Sequence, residues 1–130
     1  DVSVSFSDSG TANALALVRS GKVGVDVETV RPIGWQAMLP MLSSEVEARD
    51  IRSAVEGVSG LAGFFRCWAA KEAILKSAGT GLKGGAPRIH LPREVISGQQ
   101  DQFSLAHDGL TLRVEIFETG ELVLSRAMSV

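Results

Sequence analysis

The chain has 130 residues, 45% of them apolar and 22% charged, a composition that supports a buried core rather than a disordered segment. No apolar run approaches the ~18 residues of a membrane-spanning helix, and one cysteine leaves neither an internal disulfide framework nor a multi-cysteine zinc site. With a formal net charge of −2 and 5% aromatic residues, the chain lacks the basicity and interleaved aromatics of a nucleic-acid binder.

Val2, Val4 and Phe6 alternate with Ser3, Ser5 and Ser7, the period of a half-buried strand. Asn13–Val18 is a second strand, and the Ser20-Gly21 turn would close it as a hairpin onto a third, Lys22–Glu28. In that third segment Val23, Val25 and Val27 face one way and Gly24, Asp26 and Glu28 the other, before Arg31-Pro32 breaks the strand. The stretch 34–42, with Trp35, Met38, Leu39, Met41 and Leu42, reads as core or as an adaptable surface for a partner helix. Ser44 followed by Glu47 forms a capping box that opens a helix running to about Val55. The strongest helical pattern covers Leu61–Ala78, with Phe64, Phe65, Trp68, Ile74, Leu75 and Ala78 at helical spacing and Gly79 as the stop. A glycine-rich loop follows to Pro87. Arg88–Leu91, Phe103–His107, Leu110–Phe117 and Leu122–Met128 read as short strands, the last two joined through Thr119-Gly120. The pattern is α+β, a small antiparallel sheet packed against a long helix, expected as one domain over residues 1–130. The chain begins at Asp1 and shows no signal-peptide pattern, so a cytoplasmic domain is expected, processed or part of a longer chain.

Asp26 and Glu28 lie on one strand face and repel each other unless a cation or basic group neutralises them. Glu72 shares a helix stripe with Trp68 and Leu75, flanked by Lys71 and Lys76. Three converging carboxylates are what a hard divalent cation asks for, and the lysines could reach phosphates as flexible point charges. The same residues also fit an acidic pair on an exposed strand edge, with Glu72 pairing Lys76 at i+4. Residues 57–93 hold six basic residues against Glu72 alone, which suits a phosphorylated ligand or an acidic partner, or else a solvated helix face. His90 and His107 read as structural or solvated residues, and Cys67 as a small buried hydrophobe.

Gly24-Val25-Asp26-Val27-Glu28, then Phe65-Arg66-Cys67-Trp68-Ala69-Ala70-Lys71-Glu72-Ala73-Ile74-Leu75-Lys76 and Gly79-Thr80-Gly81-Leu82, resemble the two signatures of the 4′-phosphopantetheinyl transferase superfamily. Ser5-Phe6-Ser7-Asp8-Ser9-Gly10 resembles the S-H-S-G strand end of the surfactin-synthetase-activating type, and Ser44/Glu47 its helix-opening S-x-x-E. The likeness covers about residues 3–92 and corresponds to the C-terminal half of that two-half type. It implies Mg²⁺-dependent (Mn²⁺ as a substitute) transfer of the phosphopantetheine arm of coenzyme A to a serine of an apo acyl- or peptidyl-carrier protein, releasing adenosine 3′,5′-bisphosphate. Carried over, Asp26, Glu28 and Glu72 are the metal ligands. Lys71 and Lys76 contact the coenzyme A phosphates, Lys76 protonates the leaving phosphate, and Glu72, or Glu47 through water, is the base. Asp8 and Ser9 fall at the coenzyme A-contacting strand end, where Asp8 replaces the usual histidine and would repel a phosphate. The resemblance also implies either a homo-oligomer, a trimer among the options, or completion of the site by another domain, with no nucleic-acid or membrane partner. The alternative from a different class is a non-catalytic carrier-binding or structural domain of a larger synthase.

Overall fold

Alternation makes the amino-terminal segment a strand, β1 (Ser3–Ser9), but its buried face is the hydroxyl face: Ser5 and Ser7 point inward while Val4 and Phe6 are exposed. β1 pairs antiparallel with β2 (Ala12–Val18) in a separate two-stranded sheet. The expected β2–β3 hairpin is therefore replaced by a β1–β2 hairpin turning at Gly10-Thr11. Strand β3 (Val23–Thr29) instead forms the edge of a four-stranded antiparallel sheet of order β3-β6-β5-β4, built from β4 (Gln102–His107), β5 (Leu110–Glu118) and β6 (Leu122–Ser129). The protein is described by a computed structural model over residues 2–81 and 85–130, so Leu82 of the second signature, Lys83 of the basic segment and Gly84 of the loop lie outside the described residues.

The edge of β3 is satisfied by side chains rather than by a further ladder. Ser5, Ser7 and Ser9 hydroxyls accept from the backbone N–H groups of Val25, Val27 and Thr29 at 2.9, 3.0 and 2.9 Å. Each such bond contributes about 1 kcal/mol net, and together they fasten the hairpin along β3. Ala12, Ala14 and Ala16 fill the space between the hairpin and Val25, Val27, Leu122 and Leu124.

The opposite face of the sheet carries the main core, on which helix α3 (Leu61–Ala78) lies against β3 and β6. A Cβ on Gly24 would sit 1.9 Å from the Ala73 carbonyl oxygen, so only glycine lets the helix come this close. Gly79 ends α3 in the left-handed conformation, φ 80°, where it satisfies terminal carbonyls. Helix α1 (Trp35–Leu42) settles the reading of its segment: Trp35, Leu39 and Leu42 are core, while Met41 faces outward. Helix α2 (Glu45–Glu56) starts at Ser44, whose hydroxyl accepts from the Glu47 N–H at 3.2 Å. Arg88–Leu91 is not a strand; a 3-10 turn over Ala86–Arg88 leads to the short helix α4 (Arg93–Ile96). Among the described residues no helix is long and apolar enough to cross a membrane.

Candidate active site

β3 and α3 together place the acidic residues. Alternation along β3 turns Asp26 and Glu28 toward α3, and the helix presents Glu72 and, one turn on, Lys76. The acidic pair is not on an exposed edge: Asp26 is 3% exposed and Glu28 9%. Lys76 pairs with Asp26 rather than with Glu72, its Nζ standing 3.2 Å from Asp26 Oδ1 and donating to the carbonyls of Val25 and Phe6 at 3.1 and 3.3 Å. The Ser7 hydroxyl donates to the same Asp26 Oδ1 at 3.0 Å. Arg31, seen in the sequence only as part of a strand break, stands 3.4 Å from Glu28 Oε1, and its guanidinium lies 5.1 Å from the Phe65 ring centroid.

The electrostatics of the cluster are those of crowded acids. Burial, a hydrogen bond with Asp26 and the Asp26 charge push the Glu28 carboxyl up to about 8, against the opposing pull of Arg31. Burial and then the Asp26 charge also raise Glu72, with Lys76 opposing. Asp26 Oδ2 and Glu72 Oε1 are buried and have no hydrogen-bond partner. Among the described residues no three acidic, imidazole or thiol side chains stand assembled as a ready-made ion cage; the acids converge pairwise on Asp26. Orphaned carboxylate oxygens in a buried site call for a positive partner. An all-oxygen, doubly anionic donor set matches a hard divalent cation such as Mg²⁺ better than a soft metal.

Two residues expected at this site are elsewhere. Lys71 is 0% exposed, and its ammonium donates to the Leu42 carbonyl at 2.7 Å, the Ala86 carbonyl at 3.0 Å and the Glu47 carboxylate. All three of its donors are thus consumed internally. Glu47, 3% exposed, accepts from Lys71 and, through Oε2, from the Leu91 N–H at 2.8 Å. Neither Lys71 as a coenzyme A contact nor Glu47 as a base fits this placement; they form a buried ion pair joining α1, α2, α3 and the 85–91 segment. At the hairpin end, the Ser9 hydroxyl is occupied by Thr29, and Asp8 is exposed on the strand face opposite Ser7, away from Asp26. Asp8 therefore does not confront a phosphate at the carboxylate cluster. The basic segment is also partly spent: Arg66, 3% exposed, donates to the Val95 and Gln100 carbonyls and pairs with Glu118. Burial pushes the Cys67 thiol up to about 12, so it is an inert core residue. His90 is exposed and His107 half-buried, both away from the cluster.

A buried acidic strand pair, a helix carboxylate and a partly exposed lysine thus lie together between β3 and α3. A family model described as ACPS, 4′-phosphopantetheinyl transferase superfamily, matches residues 22–124, and the chain belongs to that superfamily. It is similar to the 4′-phosphopantetheinyl transferases AcpT of Salmonella typhimurium and Salmonella typhi, 37% identical to each over 75 residues, which cover 57% of this chain and 38% of theirs. It is also 29% identical over 93 residues to slr0495 of Synechocystis, a protein assigned by name to the same transferases, covering 71% of this chain and 37% of that one. The matched segments therefore span well under half the length of these relatives.

Proposed function

We propose that the chain carries the catalytic carboxylates of a Mg²⁺-dependent 4′-phosphopantetheinyl transferase acting in the cytoplasm on an apo acyl- or peptidyl-carrier protein. The observation that supports this reading is the pairwise approach of Glu28 and Glu72 to Asp26, which pairs with Lys76, with one buried oxygen each of Asp26 and Glu72 lacking a partner. Asp26, Glu28 and Glu72 would hold the cation, which supplies positive charge beside the coenzyme A pyrophosphate. Lys76, the cluster's half-exposed ammonium, binds a phosphate oxygen and delivers a proton to the leaving group. Glu72, whose proton affinity is raised by burial and Asp26, takes the proton of the carrier serine. The serine oxygen forms a bond to the phosphorus of the phosphopantetheine arm, and the phosphorus–oxygen bond to adenosine 3′,5′-bisphosphate breaks. Ser7 positions Asp26 from the opposite side of β3.

Intact mass of an apo carrier protein, incubated with this chain, coenzyme A and Mg²⁺, tests the proposal. A gain of one phosphopantetheine arm that EDTA abolishes is expected, and a gain indifferent to EDTA would contradict the cation's role. A second reading, a carrier-binding or structural domain that does not catalyse, is favoured by the 38% of the Salmonella relatives that the matched segment covers. No gain, even with a complementary half-length transferase segment added in trans, would favour it.

A further inference from the structure

The three serines that seat β1 on the edge of β3 share one geometry but not one use. Ser5, Ser7 and Ser9 each accept a backbone N–H, from Val25, Val27 and Thr29, which leaves each hydroxyl its single proton to donate. Ser9 shares a hydrogen bond with Thr29 Oγ1 at 2.9 Å. Ser5 has no further partner among the described residues. Ser7 directs its proton at a charge, donating to Asp26 Oδ1 at 3.0 Å.

That bond bears on how the Asp26 carboxylate is presented. Oδ1 takes two donors, the Ser7 hydroxyl at 3.0 Å and the Lys76 ammonium at 3.2 Å, one for each lone pair of a carboxylate oxygen. Oδ2 is buried and takes none. The terminal torsion of an aspartate is broad and roughly twofold, so the backbone of β3 does not choose between the two oxygens. The choice falls to the donors gathered on one side. Of these Ser7 is the fixed one, 6% exposed and with its Oγ held by the Val27 N–H. The Lys76 ammonium rides on a flexible four-carbon stem that is 27% exposed.

We infer that Ser7 is a positioning residue of the carboxylate cluster: by occupying Asp26 Oδ1 it holds the carboxylate with Oδ2 free for a divalent cation. The inference rests on the proposed cation site and makes the β1–β2 hairpin part of it, since the group that orients Asp26 belongs to neither β3 nor α3. Removing a hydrogen bond that orients a metal-ligating side chain typically costs about 10–100-fold in affinity.

Mn²⁺ dissociation constants from electron paramagnetic resonance, with urea midpoints alongside, test the inference in the wild type, Ser7→Ala and Ser5→Ala. Ser5→Ala is the control, because it takes the same kind of acceptor from the edge of β3 and touches no carboxylate. The two variants should lose similar stability, each leaving one N–H of β3 without its acceptor. The Mn²⁺ constant should rise at least about tenfold in Ser7→Ala and less than about twofold in Ser5→Ala. Ser7→Cys, nearly isosteric but a weaker donor and acceptor, should fall between wild type and Ser7→Ala, and it carries the test if the alanine variant does not fold. Equal Mn²⁺ affinity in Ser7→Ala and Ser5→Ala, or in Ser7→Cys and wild type, would overturn the inference and leave the cation site standing. A wild-type chain that binds no Mn²⁺ would overturn the site itself, and the inference with it.

Discussion

Substituting Lys71 by methionine keeps the length of the side chain and removes its charge. In the folded protein this strips Glu47, 3% exposed, of its cation and removes the ammonium donor from the Leu42 carbonyl, while the Ala86 carbonyl keeps the Ile89 N–H. Breaking a buried ion pair by removing one partner costs about 3–5 kcal/mol, a large part of the ~5–15 kcal/mol that holds a domain together. With a urea dependence of ~1.5 kcal/mol per molar, the unfolding midpoint should fall by about 2–3 M. Pairing Lys71→Met with Glu47→Gln removes the stranded charge and should recover more than half of the loss, as urea titrations of the four proteins would show. A Lys71→Met variant that loses less than ~1 kcal/mol, or that loses transfer while keeping its stability, would refute the reasoning and return Lys71 to the coenzyme A phosphates.

Gly24→Ala forces a Cβ into the Ala73 carbonyl and should cost more than ~3 kcal/mol or prevent folding, as thermal unfolding or soluble yield will show; an unchanged melting temperature would mean α3 does not rest on β3. Glu72→Gln removes a charge that burial and Asp26 both disfavour, so it should leave the unfolding midpoint unchanged or raised while abolishing transfer, and retained transfer would remove Glu72 from the site. With chelator present, stability should decline as pH rises from about 4.5 to about 8, because folded Glu28 keeps its proton over that window and the unfolded chain does not. Mg²⁺ competes with that proton, so its effect on the melting temperature should grow over the same range; a Mg²⁺ effect that shrinks with rising pH would contradict the ligand set.

The elements legible in the sequence were those set by local chemistry. Ser44 capped its helix and Gly79 ended the next, because caps depend on neighbouring backbone groups. Alternation in Gly24–Glu28 correctly put both acids on one face. Strand pairing was not local: Ser20-Gly21 and Gly10-Thr11 both allow a turn, and the choice fell to the serine hydroxyls that seat β1 on the edge of β3. That same seating reversed the usual assignment of faces, since hydroxyls meeting unpaired N–H groups outbid valines for the buried side. Glu47 and Lys71 carried a signal that went unused. Glu47 shares a helical stripe with Ile51 and Ala54, and Lys71 one with Phe64, Cys67 and Leu75, all buried. A charge of opposite sign on each of two neighbouring apolar stripes foretells a buried pair. Arg31 escaped notice because its contact with Glu28 depends on how the chain turns after β3. Glu28 and Glu72 each stand close enough to Asp26 to feel its charge, the proximity on which the proposed site rests.

The account turns on whether Asp26, Glu28 and Glu72 share one divalent cation. Mn²⁺ titration followed by electron paramagnetic resonance measures this without needing coenzyme A, a carrier or a second copy. One site per chain is predicted, lost in both Asp26→Asn and Glu72→Gln and displaced by Mg²⁺, while Glu47→Gln keeps it. Undiminished Mn²⁺ binding in Asp26→Asn and Glu72→Gln would contradict the central claim.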